Sequence, residues 1–303
     1  MVTIPSALTT LQPATSAAWQ RALDVVLPLS DRRLLALARE RLQAAQQRQV
    51  CDTPADCSDV ERQVIALADQ FAVDVNGVTE GQVAALTDAL GAGSVNALVN
   101  GLYLIDMGLR LEQVVPVLLP AAGETPAAAA PGGAAQPAED SDALIADTIA
   151  AFAAAAVLAD GIDAVTSELV RLRCAQVHHC RLCGSLRQRS ALDEGFDEDM
   201  AGRIARYEQG GFSEAQTAAL RLVDTLILFP ADAGADLRAE LERHYTPEQV
   251  AELCFDVATH PDARSKVAKD MQSRLAADAD VRVAVVDGVA ARCPALQGSC
   301  SLG

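Results

Sequence analysis

Cys180 and Cys183 flank Arg181 and Leu182 in the stretch TSELVRLRCAQVHHCRLCGSLRQRSAL, residues 166–192, and form the one CxxC of the chain. Two thiols at this spacing can close a small disulfide ring and exchange it with another disulfide or with peroxide. At a helix N-terminus, unpaired backbone N–H groups and the positive end of the dipole favour the thiolate of the first cysteine. The spacing predicts a helix from Cys183 to Leu192, so Cys180 is the expected attacking thiol and Cys183 the resolving one. Arg187, four residues past Cys183, shares its helical face and is placed to hold a thiolate. The competing reading is a pair of packed neighbours without chemistry.

Glu168 stands twelve positions before Cys180. Val165, Glu168, Leu172, Ala175 and His179 are three and four residues apart, which puts a carboxylate on an otherwise apolar helical stripe. A carboxylate turned to the core needs a partner or a raised pKa. Twelve residues of straight helix span roughly 18 Å, too far for Glu168 to serve Cys180. The two can cooperate only if the helix ends near His178 to Cys180 and the chain folds back. His179 belongs to the candidate set because it lies on the Glu168 stripe; His178 reads as an ordinary helix-end histidine.

The elements that must hold these residues are helices. The chain has 303 residues, half of them hydrophobic but only 3% aromatic, with alanine and leucine prominent. Periodic apolar positions predict helices through Leu34–Leu42, Val60–Ala68 and Val83–Leu90, and again over Leu144–Leu158, Glu168–Val177, Gln216–Leu228, Leu237–His244 and Pro247–Thr259. Thr246, Pro247 and Glu248 read as a helix start. No stretch alternates like a strand, so the expected class is all-α. Pro120 to Asp140 is rich in proline, alanine and glycine and reads as a linker. The expected division is therefore 1–119, a linker at 120–141, a CxxC domain at 142–275 and an extension at 276–303.

A shift of 155 positions lays Leu67–Asp69 on Leu222–Asp224, Leu86 on Leu241, Val95 on Val250 and Leu98 on Leu253. Upstream, Leu34–Leu37 can be laid on Leu169–Leu172, which puts Arg33 opposite Glu168. The chain thus reads as a helical bundle of two tandem pseudo-repeats. The first copy lacks lysine and cysteine where the second carries its CxxC, so it is expected to be a structural partner and not a second site.

Charge and cysteine usage narrow the class further. With 24 basic and 41 acidic side chains the net charge is -17, a field that repels nucleic acid. Residues 1–20 show no basic region followed by an apolar core, and the alanine-rich run 143–159 carries Asp147, so neither a leader nor a membrane span is expected and the default location is the cytoplasm. Cys51 with Cys57 and Cys293 with Cys300 read as loop thiols, and Cys174 and Cys254 sit in apolar helical patterns. Cys174, His178 or His179, Cys180 and Cys183 also contain enough soft ligands for a zinc-binding or sensing protein, but they are crowded into one segment. No glycine-rich phosphate loop follows a strand, so no organic cofactor is expected.

The pattern Glu-x11-Cys-x2-Cys, with the flanks ELVRLRCAQ, FSEAQTAALRLVDTL and HYTPEQVAELCFDVATHPDARSKVA, resembles the carboxymuconolactone decarboxylase and alkylhydroperoxidase D-like family over about Leu144 to Met271. The resemblance implies an antioxidant dithiol protein without cofactor or metal, using a peroxide or disulfide substrate, a separate thiol reductant and a homo-oligomeric, preferably trimeric, assembly. It implies catalytic roles for Glu168, Cys180 and Cys183. The family's two motif histidines, which relay protons with the glutamate, are Leu182 and Arg187 here. Leucine moves no proton and arginine stays protonated, so disulfide exchange is expected to survive better than peroxidase activity. The alternative within the family is a decarboxylase-like scaffold with weak or lost catalysis.

Overall fold

The computed structural model describes residues 2–120, 141–259 and 284–286. The linker reading, the stretch 260–271, the extension at 276–303 apart from 284–286, and Cys293 and Cys300 lie outside those residues.

The first half comprises α1 (Ser6–Leu11), α2 (Pro13–Val26), α3 (Arg32–Gln46), α4 (Asp59–Val73), α5 (Glu80–Leu90) and α6 (Ala92–Leu118). The second comprises α7 (Ser141–Val157), α8 (Ala164–Val177), α9 (Arg181–Gly184), β1 (Leu186–Gln188), α10 (Arg189–Asp193), α11 (Glu198–Arg203), α12 (Glu214–Ile227), α13 (Ala235–His244), α14 (Pro247–Ala258) and β2 (Ala284–Val286). The fold is all-α apart from β1 and β2, which pair in parallel. No strand is legible in the sequence because three residues are too few to display a period of two, and β1 is buried at every position. Among the described residues, no helix is long and apolar enough to cross a membrane.

Local chemistry sets the helix starts. Ser58 with Glu61, Thr79 with Gln82, Ser213 with Gln216 and Thr246 with Gln249 form reciprocal capping boxes, and Asp31 and Asp163 cap α3 and α8. These caps expose the repeat. Ser58 and Ser213, Thr79 and Gly234, and Gly91 and Thr246 are N-cap pairs, each separated by 155 positions. Asp31 and Asp163 are separated by 132. Arg41 grips Asp69 through two 2.7 Å bonds, and Arg173, 132 positions on, grips Asp224 in the same way at 2.7 and 2.9 Å. This register replaces the upstream alignment read from sequence: Arg33 stands opposite Val165, not Glu168, and Arg39 opposite Arg171. It also removes the cysteine-free contrast, because Cys51 occupies the loop after α3 just as the CxxC occupies the connection after α8.

The two offsets differ by 23 positions (155 less 132), the extra length between the caps Asp163 and Ser213 relative to that between Asp31 and Ser58. The added length contains the CxxC turn and a small core of its own, in which Ala191, Phe196, Ile204 and Tyr207 cover Leu169, Leu172 and Leu220. The remaining core is shared by both halves. Trp19 packs edge-on against Tyr103 at 6.0 Å and Phe152 at 4.8 Å, Phe152 meets Phe255 at 6.0 Å, and the Tyr103 hydroxyl donates to the Ala258 carbonyl at 2.6 Å.

Candidate functional site

The helix carrying Glu168 ends where the chemistry requires. Val177 is the last residue of α8 and His178 its C-cap, while His179 adopts φ 55, the left-handed conformation that closes many helices. The Cys180 amide then reaches back to the Ala175 carbonyl at 2.8 Å. Arg48 closes α3 with φ 56 and an equivalent return bond from Gln49 to Ala44. The reversal ends the stripe two residues before His179, whose ring is exposed and not aligned with Glu168.

Cys180 precedes the single turn α9, and the Cys183 amide donates to its Sγ at 3.2 Å. Both cysteines are partly exposed, and they are thiols, not joined in the disulfide ring that their spacing can close. The helix expected from Cys183 to Leu192 stops at Gly184, and guanidinium groups explain the interruption. Arg171 takes the carbonyls of Cys183 and Leu186, both at 2.6 Å, and Arg187 takes those of Gly184 at 2.6 Å and Leu186 at 2.7 Å. Guanidinium donors on these carbonyls hold the chain in a turn and satisfy acceptors that a continuing helix would otherwise have bonded.

Glu168 is fully buried and is paired with the equally buried Arg171 by two 2.7 Å bonds; the Gln188 amide adds a third at 3.3 Å. Glu168 thus faces the core as its place on the apolar stripe predicts, and its partner is Arg171. Glu168 holds the arginine that holds the CxxC turn. Arg171 escaped the sequence reading although its position three residues after Glu168 on one helical face was the available signal. Arg187 lies in β1 and donates two hydrogen bonds to the Glu198 carboxylate, each 2.8 Å, so it is not on a helical face with Cys183. The candidate residues thus separate into a dithiol turn, Cys180 and Cys183, and a scaffold, Glu168, Arg171 and Arg187.

The other cysteines differ in surroundings. Burial pushes the Cys254 thiol up to about 12, which keeps it protonated and inert. Cys174 is buried inside α8 and Cys57 beside Leu37 and Ile65. Among the described residues, no group of three or more His, Cys, Asp or Glu side chains is arranged to hold a metal ion.

A cavity of about 180 Å³ lies beside the end of α8, lined also by the end of α4, the middle of α6 and the end of α12. His178 borders it with a buried Nε2 that has no hydrogen-bond partner. Arg110 and Asp106, which also line it, form a buried ion pair held by two hydrogen bonds, and Gln46 donates to Asp106 at 2.7 Å. Desolvation, reinforced by Arg110 and His179 and opposed by Asp106 and Asp74, lowers the His178 pKa to about 4. The unfolded imidazole titrates near ~6.5, so between these values the unfolded chain binds a proton that the folded one refuses. Stability is complete above pH 6.5 and falls on acidification toward pH 4, by about 2–3 kcal/mol from this group. Urea unfolding at several pH values should show that slope, and His178→Leu should flatten it; identical slopes in the two proteins would refute the assignment.

Comparison with protein-family models yields no match, and no solved structure matches the chain. Its relatives include two proteins of Mycobacterium tuberculosis, Uncharacterized protein MT2376 of strain CDC 1551 / Oshkosh and Uncharacterized protein Rv2313c of strain ATCC 25618 / H37Rv. Each is 34% identical over 212 residues, covering 70% of this chain and 72% of the relative.

Proposed function

This chain belongs to the same family as the two mycobacterial proteins, and we propose that it is a thiol–disulfide oxidoreductase acting through Cys180 and Cys183. The observation that carries the reading is the 3.2 Å bond from the Cys183 amide to the Cys180 sulfur, on a turn that leaves both thiols partly exposed. An N–H aimed at a sulfur stabilises negative charge there, and the thiolate is the nucleophile. With only four residues, α9 contributes little dipole, so the direct bond matters more.

The Cys180 thiolate attacks one sulfur of a substrate disulfide, forming a mixed disulfide and expelling a thiolate that takes a proton. Cys183, losing its proton, attacks the Cys180 sulfur and expels the second substrate thiolate. The substrate disulfide gains two electrons and two protons, and the protein dithiol becomes a Cys180–Cys183 disulfide. A separate thiol reductant must restore the dithiol. Glu168 and Arg171 act as positioning residues that hold the turn, and His179 is an exposed imidazole one residue before the nucleophile. The resemblance to alkylhydroperoxidase D-like proteins adds peroxide as a second oxidant. With Leu182 and Arg187 in place of the family's histidines, peroxide is expected to react more slowly than a disulfide.

Incubation with oxidised glutathione followed by alkylation and peptide mapping tests the proposal. The expected result is one linked peptide joining Cys180 to Cys183, reversed by dithiothreitol. Recovery of both residues fully alkylated, at a glutathione poise that oxidises ordinary CxxC dithiols, would overturn it.

A further inference from the structure

We propose that the cavity between the two repeats is a binding site for a small uncharged amphiphile, a monocyclic or short-chain molecule with one hydroxyl group that His178 anchors. The site is separate from the dithiol, whose cysteines do not line it.

Size, lining and charge each restrict the occupant. A cavity near ~150 Å³ lined by aliphatic and aromatic groups accepts a benzene ring, so the 180 Å³ available here accommodates a ring with a substituent or an equivalent short chain. Phe71, Val75, Met107 and Ile227 supply apolar walls drawn from both halves of the molecule. Such walls with few convergent polar groups are the usual make-up of small-molecule sites.

The polar groups lining the cavity differ in whether they are engaged. The Tyr103 hydroxyl is committed to the Ala258 carbonyl. Arg110 spends its guanidinium on Asp106 and on the carbonyls of Leu226 and Ile227. Asp106 also receives Gln46, the last residue of α3 in the first repeat. The first copy thus satisfies its helix-end side chain internally, whereas the second leaves the His178 Nε2 shielded from water without a partner. An orphaned buried nitrogen costs stability unless something bonds it, and a single hydroxyl does so in either imidazole tautomer.

The same inventory excludes ionised occupants. Arg110 and Asp106 neutralise each other, and the other titratable lining groups are Asp74, His178 and the exposed His179, so an anion would enter beside the carboxylates of Asp74 and Asp106 without a buried guanidinium or ammonium to pair it. His178 does not supply one near neutral pH, where it is uncharged. Burying an unpaired charge is far costlier than burying a hydroxyl that gains a bond.

Calorimetric titration of the full chain with phenol, toluene, benzoate and benzylamine tests the proposal at neutral pH. Saturable phenol binding at or below about 1 mM is expected, with benzoate and benzylamine at least tenfold weaker. His178→Leu, which removes the orphaned nitrogen and keeps the shape, should weaken phenol about tenfold and leave toluene unchanged. In the unmodified protein, phenol should also shift the His178 imidazole nitrogen resonances and leave those of His244 in place. The proposal is overturned by no phenol binding up to about 10 mM, by tighter binding of benzoate or benzylamine, or by equal phenol affinity in the His178→Leu protein.

Discussion

Replacing Glu168 by alanine is expected to lower the free energy of unfolding by about 3–5 kcal/mol, the usual cost of stranding one member of a buried ion pair. Arg171 would keep its charge at 1% exposure with its carboxylate gone. Its remaining bonds to the carbonyls of Cys183 and Leu186 cannot neutralise a guanidinium. Urea unfolding followed by circular dichroism measures the loss, and Tm should fall by roughly 10 °C. The double change Glu168→Leu with Arg171→Met removes both charges and should recover much of the stability while loosening the CxxC turn. If Glu168→Ala costs less than about 0.5 kcal/mol, the pair does not hold this part of the fold. The result also bears on mechanism, because a carboxylate locked by Arg171 positions the turn instead of relaying protons to sulfur.

The second large effect concerns turnover. Cys180→Ser should abolish disulfide reduction entirely, since a serine hydroxyl is not ionised at neutral pH and cannot form the mixed disulfide. Cys183→Ser should permit the first step and block the second, trapping a stable adduct of glutathione on Cys180 that mass spectrometry detects. This asymmetry is specific to an attacking and a resolving thiol. Equal trapping in both variants, or turnover retained by Cys180→Ser, would remove the proposed order of attack.

The repeat explains why the CxxC is confined to one half. Both copies close the corresponding helix, α3 or α8, on a left-handed residue, Arg48 or His179, and both brace it with an arginine–aspartate clasp. Only the second copy adds 23 positions before its next helix, a length obtained from the offsets 155 and 132. That segment packs its own small core against α8 and α12 and presents the CxxC. In the first copy Cys57 is buried.

Helix identity and the downstream repeat were legible because they depend on local periodicity and capping. Ser213, Thr246 and the apolar phase of α12 to α14 carry that information within a few residues. The long helix α6 was not, since its 27 residues are buried on nearly every side and present no polar face from which a period could be read. Within the site, the sequence alone determined the dithiol, the buried position of Glu168 and the need for a reversal before Cys180. Tertiary structure decided what those groups touch. Arg171 captures Glu168, arginine side chains claim the carbonyls that would have extended α9, and Glu198 draws Arg187 away from the sulfurs. Spacing along a helix specifies which face a side chain occupies, but the partner waiting on that face comes from distant chain, and a guanidinium that finds carbonyls there overrides the local preference to continue the helix.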